Sequence, residues 1–165
     1  MRLDDGALHG VDKVTPSPAT SGAGDRALTL PRDLVDNAGM RGREEWIAFL
    51  PSRIALARER WSLDAVGEPF EPGGQTAWVA PAHSAVFGEA VLKVAARHYE
   101  AFDEAKGLRE WNGAGAVRLF AAEDLDETTA ILLLERCRPG TALSERENEL
   151  QDQAIAELLH RLWRE

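Results

Sequence analysis

The run Val91-Leu92-Lys93-Val94 sets a lysine inside an apolar stretch, and no other feature of the chain restricts its fold as strongly. A desolvated ammonium without a partner is costly, so a strand at this place calls for a carboxylate within reach. If residues 89–95 form a strand, alternation puts Val91 and Lys93 on one face and Leu92 and Val94 on the other. The segment from His98 to Trp111 repeats Ala101, Ala105 and Leu108 at spacings of three and four, which predicts a helix. Glu104 falls on that same stripe, eleven residues after the lysine, and is the carboxylate that such a helix would present to Lys93. The bland alternative is a lysine snorkelling at a sheet rim beside a solvated glutamate.

Length and composition frame this pair. The chain has 165 residues, 44% of them hydrophobic and 28% charged, enough for one globular core. No run approaches the roughly 18 apolar residues of a membrane span. The opening Met1-Arg2-Leu3-Asp4-Asp5 lacks the apolar centre of a signal peptide, so a cytoplasmic protein away from membranes is expected. The single cysteine, Cys137, excludes an internal disulfide and a cysteine-based zinc site. A net charge of −9 speaks against non-specific nucleic-acid binding and suits either a cationic small molecule or plain solubility.

Residues 1–26 are rich in Pro, Ser and Gly without apolar period and are expected to be a disordered leader. Residues 27–63 read as a helical segment. Pro31 suits the first turn of a short helix through Asp36 with Gly39 to end it. Trp46, Ile47, Phe49, Leu50, Ile54 and Leu56 then form a helical pattern that Pro51 should divide, with a restart near Ser52. Residues 64–140 look like sheet. Glu68 to Gln75 leads into Thr76–Pro81 as a hairpin-like pair with Gly73 and Gly74 at the turn, followed by a loop over 83–88 and the Lys93 strand. A strand is expected near Ala116 to Ala121, and a turn at the acidic run Glu123-Asp124-Leu125-Asp126-Glu127. Thr128 to Glu135 then gives a strand apolar enough for burial on both faces. Arg138-Pro139-Gly140 stops it, and residues 141–165 hold an amphipathic helix from about Glu145 to Trp163. The fold class is therefore α+β: five antiparallel strands with one helix inserted after the third.

That order is the order of the small lobe of protein-kinase-like folds, in which a helix glutamate aims a strand lysine at ATP phosphates. The pieces EPGGQTAWVAPA, VLKVAARHYEAFDEAKGLREW, GAVRLFAAEDLDETTAILLLERCRPGTALS and AIAELLHRLW resemble the amino-terminal part of the aminoglycoside and hydroxyurea antibiotic-resistance kinases, the streptomycin 6-phosphotransferase-like family. The similarity also takes in LTLPRDLV and REEWIAFLPSRIALARERWSL, and so runs over about residues 28–163; LLLERCRPGT is its most specific part. The resemblance implies an ATP-dependent phosphotransferase acting on a hydroxyl of an aminoglycoside-type antibiotic or of hydroxyurea. It implies that Lys93 contacts nucleotide phosphates, that Glu104 fixes it, and that Gly73 and Gly74 lie in the turn over the phosphates. It also implies that Glu135, Arg136 and Cys137 form a hinge whose backbone pairs with adenine. Read without it, the glycines are a tight turn and the hinge is a strand end; neither G-x-x-x-x-G-K-[ST] nor a full G-x-G-x-x-G is present.

The family's larger carboxy-terminal lobe supplies an H-G-D-x-x-x-x-N type loop and a later aspartate for the acceptor hydroxyl and for magnesium. None of His9, His83, His98 and His160 begins such a loop. No catalytic base or metal ligand is therefore expected in residues 1–165, the helix after residue 141 is expected to be a linker to that lobe, and the chain by itself is expected to be inactive. A run of carboxylates such as 123–127 reads as solvated surface rather than a metal site. The alternative function is a non-catalytic nucleotide- or partner-binding module derived from a kinase small lobe, with self-association through the exposed lobe face. A third possibility is an α+β domain with chance similarity, in which Lys93 and Glu104 do not meet.

Overall fold

The computed structural model describes residues 28–163; the expected leader lies outside them. The chain runs through α1 (Arg32–Arg41), α2 (Glu44–Ala48), α3 (Leu50–Arg60), β1 (Leu63–Val66), β2 (Ala77–Ser84) and β3 (Gly88–Ala96). It continues through α4 (Glu104–Trp111), β4 (Leu119–Asp126), β5 (Thr129–Glu135) and α5 (Asn148–Leu162), with 3₁₀ turns at Tyr99–Ala101 and Leu143–Glu145. All strand pairs are antiparallel and the sheet order is β1-β2-β3-β5-β4, so the fold is α+β with α4 inserted between β3 and β4.

The two faces of the sheet differ because its strands alternate. Trp78, Ala80, Leu92, Val94, Ile131 and Leu133 point to one face and are buried under α1–α3, which supply Leu34, Trp46, Leu50, Ile54 and Ala57. Val79, Val91 and Lys93 point to the other face and are only half-buried. Long-range polar contacts fix the helices in place: Trp46 Nε1 donates to Thr129 Oγ1 at 3.1 Å, and Trp78 Nε1 donates to Thr29 O at 3.1 Å. Pro81 sits inside β2 at no cost to the ladder. Its nitrogen faces the β1 side beyond Val66, where Gly67 N–H donates to Pro81 O at 2.8 Å.

Several expected boundaries move, each for a visible reason. α1 passes through Gly39 and ends at Gly42, whose φ of 64° gives the left-handed cap that a C-terminus favours. The break at Pro51 occurs as expected, but α3 restarts at Leu50, because proline is at home in a first turn. The first strand is Leu63–Val66 rather than the Glu68 stretch; after it the chain holds to β2 only through single bonds, Phe70 N–H to Val79 O at 2.9 Å among them. The helix expected from His98 begins only at Glu104. Ala101 N–H turns back onto His98 O at 2.9 Å, and the Arg97 guanidinium lies 4.8 Å from the Phe102 ring centroid, which holds residues 98–103 out of the helix.

β4 extends through Asp126, so most of the acidic run is strand and not turn. Its carboxylates are held by arginines: Glu123 by Arg60, Asp124 by Arg97 at 3.0 Å, and Asp126 by Arg53 at 3.1 Å. The final helix begins at Asn148, after the 3₁₀ turn at Leu143–Glu145 takes up the residues before it. None of its residues is buried; Leu150, Ile155, Leu158 and Leu159 are all exposed.

Candidate functional site

The site is built on the half-buried face of the sheet. β3 lies between β2 and β5, which holds its backbone on both sides, and Lys93 pairs in register with Val79 and Leu132. The ammonium leaves that face and meets Glu104 at the first residue of α4, Nζ to Oε1 2.5 Å. The two side chains are 23% and 27% exposed, so the pair is largely shielded but not closed off from solvent. A carboxylate in the first turn of a helix also has the favourable end of the helix dipole. The expectation of a facing pair is met, although the helix that delivers it is shorter than its apolar stripe suggested.

Two residues before Lys93 on the same face, Val91 lines a cavity of about 320 Å³. Phe70, Val117 and Leu134 form its other apolar walls, and Glu135, Arg136 and Cys137 lie along its edge with Pro139 and Gly140. Two residues of strand span about 7 Å, so the cavity and the ion pair are neighbours on one surface. The segment after β5 is tethered to its surroundings. Glu135 N–H donates to Arg118 O at 2.9 Å, and its carboxylate accepts from Arg118 N–H at 3.1 Å. Arg138 is bonded to Glu89, and that hydrogen bond holds the Glu89 carboxyl below its ordinary value. The Arg136 guanidinium lies 5.6 Å from the centroid of the Phe70 ring.

The expected site residues thus fall into three groups. Lys93 and Glu104 meet; Glu135, Arg136 and Cys137 line the cavity beside them; Gly73 and Gly74 do not line it. Gly73 has a φ of 81°, and a Cβ there would stand 2.5 Å from the Pro31 Cβ, so turn geometry and packing on Pro31 already require glycine. Phe70, Val117, Leu134, Pro139 and Gly140 were not among the sequence candidates. Leu134 carried a signal in its alternation with Leu133, and Val91 in its phase with Lys93. Phe70 carried only its isolation as an aromatic among Glu, Pro and Gly.

The acidic residues of β4 do not fit a magnesium site, because Glu123, Asp124 and Asp126 are each engaged by a different arginine. Burial pushes the Asp126 carboxyl up, but the hydroxyl and amide of Thr128 and the Arg53 guanidinium outweigh it and hold the group at about 2. Its geometry is that of a clamp between α3 and the β4–β5 turn.

Comparison with known proteins places this arrangement. The sequence pattern of the family described as aminoglycoside/hydroxyurea antibiotic resistance kinase matches residues 60–165. The chain is 38% identical over 142 residues to a hydroxyurea phosphotransferase of Kitasatospora aureofaciens, covering 82% of this chain and 40% of that protein. It is 34% identical over 139 residues to a streptomycin 6-kinase of Streptomyces griseus, covering 82% of this chain and 44% of the relative. A streptomycin 6-kinase of Streptomyces glaucescens is 34% identical over 127 residues, 75% of this chain and 40% of its own length. The chain therefore spans about two fifths of the length of these curated relatives. With the matched pattern reaching over more than half of its residues, the chain belongs to the aminoglycoside/hydroxyurea antibiotic resistance kinase family.

Proposed function

We propose that these residues are the nucleotide-binding small lobe of a protein-kinase-like phosphotransferase whose acceptor is a hydroxyl of a streptomycin-like aminoglycoside or of hydroxyurea. The observation that carries the reading is the ion pair of Lys93 and Glu104, 2.5 Å apart, on the same face as the cavity edged by residues 135–137. ATP, when bound, supplies the phosphoryl group that is transferred. Lys93 neutralises phosphate charge, and Glu104 keeps the ammonium aimed while the site is empty. Glu135, Arg136 and Cys137 present backbone groups to the base. Among the described residues no backbone bond is donated by Arg136 or Cys137, whereas Glu135 N–H is already taken by Arg118 O. Gly73 and Gly74 would cover the phosphates from the turn that leads into β2, whose Val79 is the register partner of Lys93.

No step is assigned to magnesium, since the carboxylates described do not converge on a common point. Nor is an acceptor base assigned, and residues 1–165 alone are expected to transfer no phosphate to streptomycin or hydroxyurea. The test is calorimetric titration of the purified chain with magnesium ATP beside Lys93→Ala. Binding that the substitution weakens by tenfold or more, with the melting temperature kept, supports the reading. Equal affinity of the two proteins, or no affinity in either, removes it.

A further inference from the structure

α4 is eight residues long and none of them is buried. A helix this short is marginal in water, so it takes its place from what grips its ends. Glu104, its first residue, meets Lys93. Trp111, its last, lays its indole back along the helix: a Cβ at Gly107 would stand 3.3 Å from Trp111 Cζ3, and glycine leaves the ring that seat. From there Trp111 Nε1 donates to Leu162 O at 3.4 Å. Leu162 closes α5, and its carbonyl is one of the last four that a helix cannot satisfy internally. The loop after α4 presses on the same point. A Cβ at Gly115 would lie 3.1 Å from Arg161 Cβ and 3.2 Å from Leu162 Cδ2, so loop backbone and α5 touch there. No residue of α5 is buried either, and the two exposed helices are clasped at their carboxy-terminal ends.

We propose that Trp111 is the positioning residue for Glu104: through its indole, the end of α5 sets where α4 stands, and thereby how Glu104 meets the Lys93 ammonium. The eight residues of α4 make a rod of about 12 Å, so a shift of its last turn is passed to its first. Rigid elements and packed side chains in unbroken contact carry such coupling, and here the chain of contacts runs Leu162, Trp111, Gly107, Glu104, Lys93. The consequence for ligands rests on the nucleotide reading above: an ammonium that Glu104 no longer aims is a poorer partner for phosphate. α5 would then act as a lever on phosphate binding although it lines no part of the site.

The experiment is an amide NMR titration of residues 1–165 with inorganic tripolyphosphate, run on the unaltered chain and on Trp111→Phe, Leu162→Ala, Gly115→Ala, Gly113→Ala and Lys93→Ala. Trp111→Phe keeps a ring against Gly107 but loses the indole N–H, and Leu162→Ala alters only the α5 side of the clasp. Gly113→Ala is the control for backbone strain: its φ of 84° is close to the 88° of Gly115, but a Cβ there meets the Arg118 side chain. Trp111→Phe, Leu162→Ala and Gly115→Ala are expected to move the Lys93 and Glu104 resonances and to weaken tripolyphosphate at least about threefold, while Gly113→Ala does neither. With Lys93→Ala weakening tripolyphosphate, unchanged affinity in Trp111→Phe and Leu162→Ala overturns the inference and leaves the nucleotide reading standing. If tripolyphosphate does not bind, or binds Lys93→Ala as well as the unaltered chain, the nucleotide reading falls. The ligand-free spectra then decide the positioning of Glu104: resonances moved by Leu162→Ala support it, and unmoved ones overturn it. Should Trp111→Phe not fold, Leu162→Ala at the exposed helix end decides by the same two readouts.

Discussion

Single residues of this chain are held by reasons of very different range. Gly73 is set by two at once, a left-handed φ of 81° and a Pro31 Cβ that would lie 2.5 Å from an added Cβ. Gly73→Ala is expected to destabilise the chain by about 1–3 kcal/mol, read from urea unfolding, because both backbone strain and a clash with proline must be relieved. Asp126 illustrates a charge set by its surroundings. Its native carboxyl titrates at about 2 against an ordinary 3.8, held down by Thr128 and Arg53 against the pull of burial. A depressed carboxyl contributes stability in full above its unfolded value and loses it as pH falls through the folded one. The difference in urea midpoint between the unaltered chain and Asp126→Asn is therefore expected to be constant above about pH 5 and to shrink between about pH 4 and pH 2. A difference that stays constant down to pH 2 would show that the clamp does not hold the charge.

Among the elements, α3 and α5 form a natural contrast. Both read as amphipathic in sequence, yet Leu50 of α3 is fully buried against the sheet, whereas Leu158 of α5 is 40% exposed. Periodicity reports that a helix has an apolar side; it does not report whether something covers that side. Leu50→Ala is expected to cost about 2–5 kcal/mol, as for a filled core site. Leu158→Glu is expected to change stability by no more than about 0.5 kcal/mol, as for a surface site. Thermal unfolding followed by circular dichroism measures both, and a large loss for Leu158→Glu would mean that α5 is packed more firmly than its exposure indicates. The prolines behave according to place rather than type: Pro51 opens α3, while Pro81 rests inside β2 because its nitrogen faces the side where β1 has already ended.

For the whole molecule, the helices before β1 and the sheet after it share one core. Leu34, Trp46, Leu50 and Ile54 cover the face that Trp78, Leu92, Val94, Ile131 and Leu133 present. A chain starting at residue 63 would expose that face to water, and it is expected to lack the dispersed amide spectrum expected of residues 1–165. Retained dispersion would show that the sheet stands alone. The alternation around Lys93 was legible in the sequence, as were the strand ending at Glu135, the break at Pro51 and the pairing of Lys93 with Glu104; burial of that strand on both faces was not met, because Ala130 and Leu134 on the Lys93 face are only half-buried. The start of α4, the strand character of the acidic run and the packing of α1–α3 over the sheet were not legible. They are set by Arg97 over Phe102, by Arg53 and Arg60 of α3 together with Arg97 just after β3, and by contacts such as Trp46 to Thr129, 83 residues apart. The cavity is the furthest case, because Phe70, Val91, Val117 and the stretch from Leu134 to Cys137 come from four separate segments that share no period. By itself the sequence determined the order of five strands with one helix inserted after the third and a lysine in need of a carboxylate, because those follow from local alternation and charge. Only the tertiary structure decided which residues stand around that lysine, because that depends on how distant segments cross one sheet face.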